Sequence, residues 1–494
     1  MWLTQLLERN RQCFGERTAL VDEERSVTWG QLYDRTAELA RGFAELGIEC
    51  GDRVAVLSKD RIEVLESYFA LARLGALFVP LNHSLAEPEV AGIVERVGAS
   101  AVLGESELLD RHARLPESVR VRVALDKPAF ATLGTLAPRR ELPPVADTDP
   151  IAVLHTSATT GQAKGVTVDS ASFRAIALGW LVMARPTDDI VMVNCCPLYH
   201  GSMVVSLTYM AAGATVVLMP GFTPQRALTA VERHRATHMW MVPQMLRFML
   251  QAKSSRRTDF SSLREILYGA APMPLDVYAE AVERLGCGFR QVYGMTEVGG
   301  PFVTLGPDEH PAPGDVTARI PCGRVVPGMS ARAVDREGRQ VPYGEIGEIV
   351  VRGPGVMQGY WNDPEATREI TVDGWTRTGD LGFVDEEGRI SLVDRTKDVI
   401  IRAGQNVYPS EIERALMTHP AVHDAAVVGT PDEDYGEVPL AYVALEPDRE
   451  ASAAELLGHV ARLLAPYKRP RSVEFIEQVP RNPAGKIIKK LLRA

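Results

Sequence analysis

Patterned cysteine is the first thing this chain lacks. Its 494 residues hold six cysteines, Cys13, Cys50, Cys195, Cys196, Cys287 and Cys322, none at CxxC or CxxH spacing. Neither a zinc site nor a disulfide framework is indicated, and the six read as reduced core or surface thiols. Net positive charge is missing too. A formal charge of -10 argues against a general nucleic-acid or anionic-membrane binder, because both need a positive face to displace counterions. The opening "MWLTQLLERNRQCFGERT" carries charges from Glu8 onward and has no uninterrupted apolar core, so no secretory signal is read and the cytoplasm is the expected address. Residues 190 to 225 contain no Asp, Glu, Lys or Arg, which approaches the length of a membrane span. However, Pro197, Gly201, Gly213, Pro220 and Gly221 break that stretch into "IVMVNCC", "SMVVSLTYMAA" and "ATVVLM". These segments predict a buried strand, helix and strand, with no membrane span.

A hydrophobic content of 46% can bury a large core, and the length predicts about two to four domains. The first half alternates short apolar strands ("RVAVLS", "ALFVPL", "ASAVLGE", "THMWMVP") with helical segments ("TWGQLYDRTAELARGFAELG", "IEVLESYFALARLG", "PEVAGIVERVG", "PQRALTAVERHR"). That alternation predicts α/β architecture, with parallel-type sheets covered by helices on both faces. From about residue 320 to 394 the texture shortens into alternating segments and turns such as "REGR" and "YGEIGE", which predict a small antiparallel β unit. The section after "ISLVDRTKDV" carries its own helices and strands and is large enough to be a domain. The expected division is 1–394 and 395–494, with the boundary near Asp394 to Lys397.

Directly after the apolar run "IAVL" comes "HTSATTGQAKGV", residues 155 to 166. A strand that ends in a hydroxyl-rich loop around Gly161 exposes backbone N–H groups. Such a concavity binds anions, and the hydroxyls and Lys164 add donors and charge. Phosphate is the natural guest. The spacing is not that of a P-loop, because no Ser or Thr follows the lysine to hold magnesium. Taken alone, the stretch could equally be a polar turn between two strands.

The ordered set "TSATTGQAKGV", "YGMTE", "GWTRTGDLG", "DRTKDVIIRAGQNVYPSEIE" and "PRNPAGKIIKKLL" resembles the adenylate-forming superfamily, the group that includes acyl-CoA synthetases. The resemblance spans nearly the whole chain. It implies a large N-terminal domain, a small mobile α+β C-terminal domain, and two-step chemistry. A carboxylate attacks the α-phosphate of ATP to give an acyl-adenylate and pyrophosphate, and a thiol then displaces AMP. It also implies roles for particular residues. Thr156, Ser157, Ala158, Thr159, Thr160, Gly161 and Lys164 would cradle the β- and γ-phosphates. Glu297, with Thr156, would hold Mg²⁺, an ion that prefers oxygen ligands and bridges phosphates. Gly269, Ala270, Ala271, Tyr293 and Thr296 would form the adenine side. Asp380 would accept the ribose hydroxyls, with Arg395 as its partner. Lys486 would offset charge on the α-phosphate, whereas Lys489 and Lys490 read as solvated basic tail. Lys397 would be the hinge, about which rotation brings Ala403 and Gly404 to a pantetheine channel.

For the acid itself, the resemblance points to His200 of "PLYHG" beside the carboxylate. Met203, Val204, Trp240, Met241, Met245, Tyr268 and Gly294 are candidate walls, although Met and Trp at such spacings also suit an ordinary core. No acidic residue follows His200 in Gly201–Val204, which disfavours amino-acid substrates. Three departures stand out. Ala158 and Ala163 replace a glycine and a proline common in the loop, and Ala270 stands where relatives often have glycine. Positive φ at such an alanine would cost about 1 kcal/mol, and ATP is still expected to bind. The leading expectation is an ATP-dependent acid-CoA ligase for an aromatic or aliphatic acid. The alternative acceptor is the phosphopantetheine of a carrier protein. A luciferase-like oxidation and a nucleotide-binding regulator without turnover are the other readings. Relatives suggest a homodimer.

Overall fold

The computed structural model describes residues 1–138, 141–156, 163–199, 201–315, 319–481 and 487–493. Of the positions named above, Ser157, Ala158, Thr159, Thr160, Gly161, His200 and Lys486 lie outside the described residues. The chain forms two compact units. One gathers the described residues up to Ser330 together with Arg352–Val372, and the other joins Ala331–Val351 to the chain from Asp373 onward.

The first unit contains two large sheets. The nine-stranded sheet runs Arg324–Val325, Gly300–Leu305, Gly288–Met295, Glu265–Gly269, His238–Met241, Val191–Asn194, Thr215–Leu218, Thr18–Val21 and Ser26–Thr28. The seven-stranded sheet runs Gly359–Tyr360, Gly165–Asp169, Pro150–His155, Leu77–Leu81, Arg53–Leu57, Ala101–Gly104 and Val121–Ala124. Their central pairs are parallel, as the strand–helix alternation predicts. Two of the exceptions lie where connections are short. Pro150–His155 returns directly as antiparallel Gly165–Asp169, because a connection of that length has no room for a crossover helix. Gly288–Met295 likewise turns back into antiparallel Gly300–Leu305.

The uncharged stretch forms Val191–Asn194, Ser202–Ala211 and Thr215–Leu218, in the order expected. Residues Ser202 to Met210 are all buried. Among the described residues no helix is long and apolar enough to cross a membrane. Helix Trp29–Glu45 starts where its sequence says it should. Thr28 Oγ1 accepts from the Gln31 N–H at 3.2 Å while Gln31 Oε1 accepts from the Thr28 N–H at 2.9 Å, a reciprocal cap worth about 1 kcal/mol.

The second unit contains one five-stranded sheet and most of another. One is built from Ser330–Val334, Gly347–Arg352, Trp375–Val384 and Thr371–Val372, with Ile390–Arg395 pairing Trp375–Val384. The β texture that begins near residue 320 is shared out: Arg324–Val325 belongs to the nine-stranded sheet and Gly359–Tyr360 to the seven-stranded one. The other sheet orders Gln405–Val407, Ile400–Arg402, Gly436–Leu445 and Val422–Asp432, with Ser472–Phe475 parallel to Gly436–Leu445. Helices Pro409–Met417 and Ala453–Leu463 cover it through Ile412, Leu416, Leu456 and Val460, which share a buried cluster with Val427 and Val443.

The tail departs from expectation. Lys489 is not a solvated base, because its Nζ lies 2.9 Å from Glu413 Oε1, and both side chains are largely buried. Arg481 forks onto Asp424 at 2.9 and 3.1 Å. Lys490 is exposed, as expected of a basic tail.

Candidate active site

The phosphate-loop candidate is anchored by its two ends. Pro150–His155 and Gly165–Asp169 are ladder partners, so Thr156 and Lys164 meet at the mouth of the connection. The Thr156 N–H donates to the Lys164 carbonyl at 3.1 Å, and the Lys164 N–H donates to Thr156 Oγ1 at 3.3 Å. Both the turn and the phosphate readings of this stretch require such a neck. Beside it, the Lys164 ammonium stands 4.9 Å from the centroid of the Tyr360 ring. The Tyr360 hydroxyl in turn donates to Glu297 Oε1 at 2.8 Å. Lysine, tyrosine and glutamate therefore form one chain of contacts.

Glu297 is placed by a strand that runs out of the core. Gly288–Met295 is buried through Val292 and emerges at Gly294, and the 3₁₀ turn Thr296–Val298 follows with Glu297 at its centre. The Glu297 carbonyl accepts from the Met357 N–H at 2.9 Å. Tyr360 went unassigned in the sequence, where "MQGYW" offers only a glycine and two aromatics. Burial first, then the neighbouring Glu297, pushes its phenol well above the ordinary range. The hydroxyl therefore remains a donor across the physiological pH range.

The adenine-side candidates lie on adjacent parallel strands. Gly269 ends Glu265–Gly269 opposite Val292. A Cβ on Gly269 would sit 2.4 Å from the Val292 carbonyl oxygen and 3.3 Å from the Trp240 ring. Glycine is therefore required there by packing. Ala270 follows with φ of 65°, the left-handed region that alanine enters only at a cost. Tyr293 lies with its ring 5.2 Å from Phe302.

The acid-pocket candidates separate. Met241 and Tyr268 are fully buried in the core cluster beside Met239 and Ile266, and the Tyr268 hydroxyl contacts Gln291 at 3.1 Å and His310 at 2.9 Å. Met245 packs at the edge of that cluster, 3.9 Å sulfur to sulfur from Cys196. Trp240 is 6% exposed, and its indole nitrogen has no acceptor among the described residues. Val204 lies against Gly300. Met203 lines a small cavity with Ser58, Asp60, Phe78, Leu198 and Tyr199.

Gly201–Val204 hold no acid, but the fold brings Asp60 to this region. It arrives from the end of a different strand and accepts from the Leu198 N–H at 2.9 Å. Burial pushes its carboxyl up to about 8, against the opposing pull of that N–H. A separation of 138 positions hid it from a local reading.

In the second unit, the alternation of Trp375–Val384 turns Thr376, Thr378 and Asp380 to one buried face, as a period of two requires. Asp380 sits directly across from Arg395, whose Nε donates to Asp380 Oδ1 at 3.0 Å. Lys397 follows in the turn Thr396–Asp398. Burial and then Arg395 lower its ammonium, while Asp398 and Asp380 oppose them. Ala403 and Gly404 form the two-residue turn between Ile400–Arg402 and Gln405–Val407, with φ of 47° and 80°. Such a turn needs positive φ at both central positions, which suits Gly404, whereas Ala403 adopts it at a cost.

These halves carry the residue types of an adenylating enzyme, and comparison with known proteins agrees. The chain matches the AMP-binding enzyme family over residues 7–361 and the AMP-binding enzyme C-terminal domain over 411–486. It belongs to that family of adenylate-forming enzymes. It is an AMP-forming acid-CoA ligase that uses ATP, Mg²⁺ and CoA. A regulator without turnover is thereby set aside. The chain is 37% identical over 473 residues to feruloyl-CoA synthase of Amycolatopsis sp, covering 95% of this chain and 94% of the relative. It is 36% identical over 487 residues to the fatty acid–[acyl-carrier-protein] ligase ScoC of Streptomyces coeruleorubidus, covering 96% and 92%. Among solved structures it is similar to o-succinylbenzoate CoA synthetase (MenE) from Bacillus subtilis in complex with the acyl-adenylate intermediate. That likeness has a TM-score of 0.87 and 30% identity, and covers 99% of this chain and 98% of that one.

Proposed function

We propose that the chain joins a hydrophobic, aromatic or aliphatic acid to CoA, with the residue roles that follow. The observation that carries the reading is the contact chain from Lys164 through Tyr360 to Glu297, read together with the Asp380–Arg395 pair. A carboxylate and a triphosphate repel each other, so the protein must supply cations and N–H donors and hold the reactants in line. Lys164 and the loop from Thr156 take the β- and γ-phosphates. Glu297 and Thr156 suit Mg²⁺, because they offer hard oxygens but too few to cage it, leaving positions for phosphate and water. No cluster of three potential metal-binding side chains exists among the described residues. When bound, the ion supplies charge that offsets the phosphates.

Gly269, Ala270, Ala271, Tyr293 and Thr296 serve adenine, and Asp380 and Arg395 the ribose. His200, Met203, Val204, Trp240, Met245 and Gly294 serve the acid, with Met241 and Tyr268 supporting that wall from the core behind it. Lys486 acts in adenylation. Rotation at Lys397 then exchanges it for Ala403 and Gly404 in the thiol step, which assigns 1–394 and 395–494 as the working domains. A cytoplasmic homodimer completes the reading. Feruloyl-CoA synthase and indoleacetate–CoA ligase among the relatives support an aromatic acid.

The test is acid-dependent pyrophosphate release across aromatic, aliphatic and amino acids, each with CoA, with a holo carrier protein, or with neither. Release with an aromatic or aliphatic acid followed by CoA thioester is the expected result. Release only with amino acids would overturn the acid class. A second reading, transfer to a carrier protein, is favoured by the likeness to ScoC and predicts thioester on the holo carrier alone. Lys486→Ala should abolish adenylation while sparing thioester formation from supplied acyl-adenylate. Equal loss of both half-reactions would contradict the exchange.

A further inference from the structure

Lys164 and Glu297 come from different sheets. What joins them is a short strap, residues 353 to 361, that makes backbone bonds to both neighbourhoods. The Met357 N–H donates to the Glu297 carbonyl at 2.9 Å. Further along, Gly359 and Tyr360 pair with Thr167 and Val166, and the Trp361 N–H donates to the Gly165 carbonyl at 2.7 Å. Tyr360 is thus held opposite Val166, the second residue of the strand that follows the loop, by main chain that cannot rotate freely. Its amide is also tied, donating to Thr367 Oγ1 at 2.9 Å.

We propose that Tyr360 is a positioning residue for the adenylation step, holding Glu297 and Lys164 apart and aimed before Mg·ATP arrives. The argument is electrostatic. An ammonium and a carboxylate at the mouth of one site attract each other, and a direct ion pair would have to be broken before either could meet phosphate or metal. The phenol satisfies both without joining them. Its hydroxyl occupies one lone pair of Oε1 at 2.8 Å, which fixes the carboxylate plane and leaves the remaining lone pairs for a cation. Its ring face offers the ammonium a weak partner at 4.9 Å, one that gives way readily to a phosphate.

The inference deepens the proposed roles of Lys164 and Glu297 and rests on them. It is tested by isothermal titration of ATP into the full chain at a series of Mg²⁺ concentrations. Pyrophosphate release and thioester formation from supplied acyl-adenylate are measured alongside, and each variant's melting midpoint is recorded. Tyr360→Phe keeps the ring and loses the hydroxyl. A hydrogen bond to a charged group is worth enough that its half-saturating Mg²⁺ should rise about tenfold or more, with thioester formation from acyl-adenylate unchanged. Tyr360→Leu should in addition weaken ATP binding at saturating Mg²⁺. In a Glu297→Gln background, Tyr360→Phe should have no further effect on the Mg²⁺ dependence. Wild-type Mg²⁺ dependence in Tyr360→Phe, equal loss of both half-reactions, or additive losses in the double variant would each overturn the proposal. If Glu297→Gln and Lys164→Ala leave Mg·ATP binding at the wild-type level, the underlying site assignment fails, and this inference fails with it.

Discussion

Asp380 and Arg395 face each other across adjacent antiparallel strands, with the Arg395 Nε 3.0 Å from Asp380 Oδ1. The acid's side chain is 10% exposed and the arginine's 40%, so the pair presents its polar edge outward from a buried base. The next residue inward on that face, Thr378, donates to the Ile349 carbonyl at 2.7 Å and accepts from the Asp380 N–H at 3.1 Å. This is a side chain fixed by its strand, which a carboxylate needs if it is to accept two vicinal hydroxyls without an entropic cost at binding.

Asp380→Asn should therefore raise the KM for ATP by roughly tenfold or more, the worth of a hydrogen bond to a charged group, with little change in melting midpoint. Arg395→Lys should act less strongly, because the ammonium keeps charge but loses the planar fork. Steady-state kinetics with ATP varied checks both. An unchanged KM in Asp380→Asn would reduce the pair to a strand-to-strand tie.

Ala270 and Gly269 make opposite predictions one residue apart. Ala270 occupies φ of 65°, so Ala270→Gly should stabilise the protein by about 1 kcal/mol, less the entropy that glycine adds to the unfolded chain. Gly269→Ala would place a methyl 2.4 Å from the Val292 carbonyl, and should lower the denaturation midpoint and weaken ATP binding. Chemical denaturation of the two variants side by side reads both signs.

How far the sequence carried this picture depends on the range of the forces involved. Period and capping are local, so the uncharged stretch from Ile190 to Gln225 resolved correctly into strand, helix and strand. The motif order led to the family, which the matches over residues 7–361 and 411–486 bear out. Tertiary charge was not legible. Lys489 looked like a solvated base because Glu413, its buried partner, is separated from it by most of a domain. Asp60 was invisible for the same reason. Tyr360 escaped because its role depends on two neighbours from two different sheets, and no spacing rule encodes that.

The Lys489–Glu413 pair should matter more for stability than its position near the chain end suggests. Glu413 also accepts from the Val427 N–H at 2.8 Å, which draws the strand Val422–Asp432 into the same contact. Burial raises the Glu413 carboxyl, and Lys489 opposes that most strongly. Lys489→Ala leaves an uncompensated buried acid and should cost about 3 to 5 kcal/mol, whereas Lys489→Met with Glu413→Leu should recover most of the loss. Denaturation midpoints of the single and double variants decide it.

Asp60 sets a pH dependence whose sign can be worked out. Its carboxyl is held at about 8 in the fold against an ordinary 3.8, so between those values the folded protein binds a proton that the unfolded chain has released. Stability from this group is full below about pH 4, falls by about 1.4 kcal/mol per pH unit at most as pH rises, and levels off above about pH 8. Asp60→Asn keeps an oxygen to accept the Leu198 N–H but has no proton to lose. Measured against wild type, the variant should gain stability steadily from pH 5 to about pH 8 and show a flatter profile over that range. Urea denaturation of both proteins from pH 5 to 9 makes the comparison, and parallel profiles would mean that Asp60 is already ionised in the fold. Because the same carboxyl lines the cavity behind Met203 and Tyr199, charging it should also loosen the turn that leads into His200. Adenylation by Asp60→Asn should accordingly persist to higher pH than in the wild type.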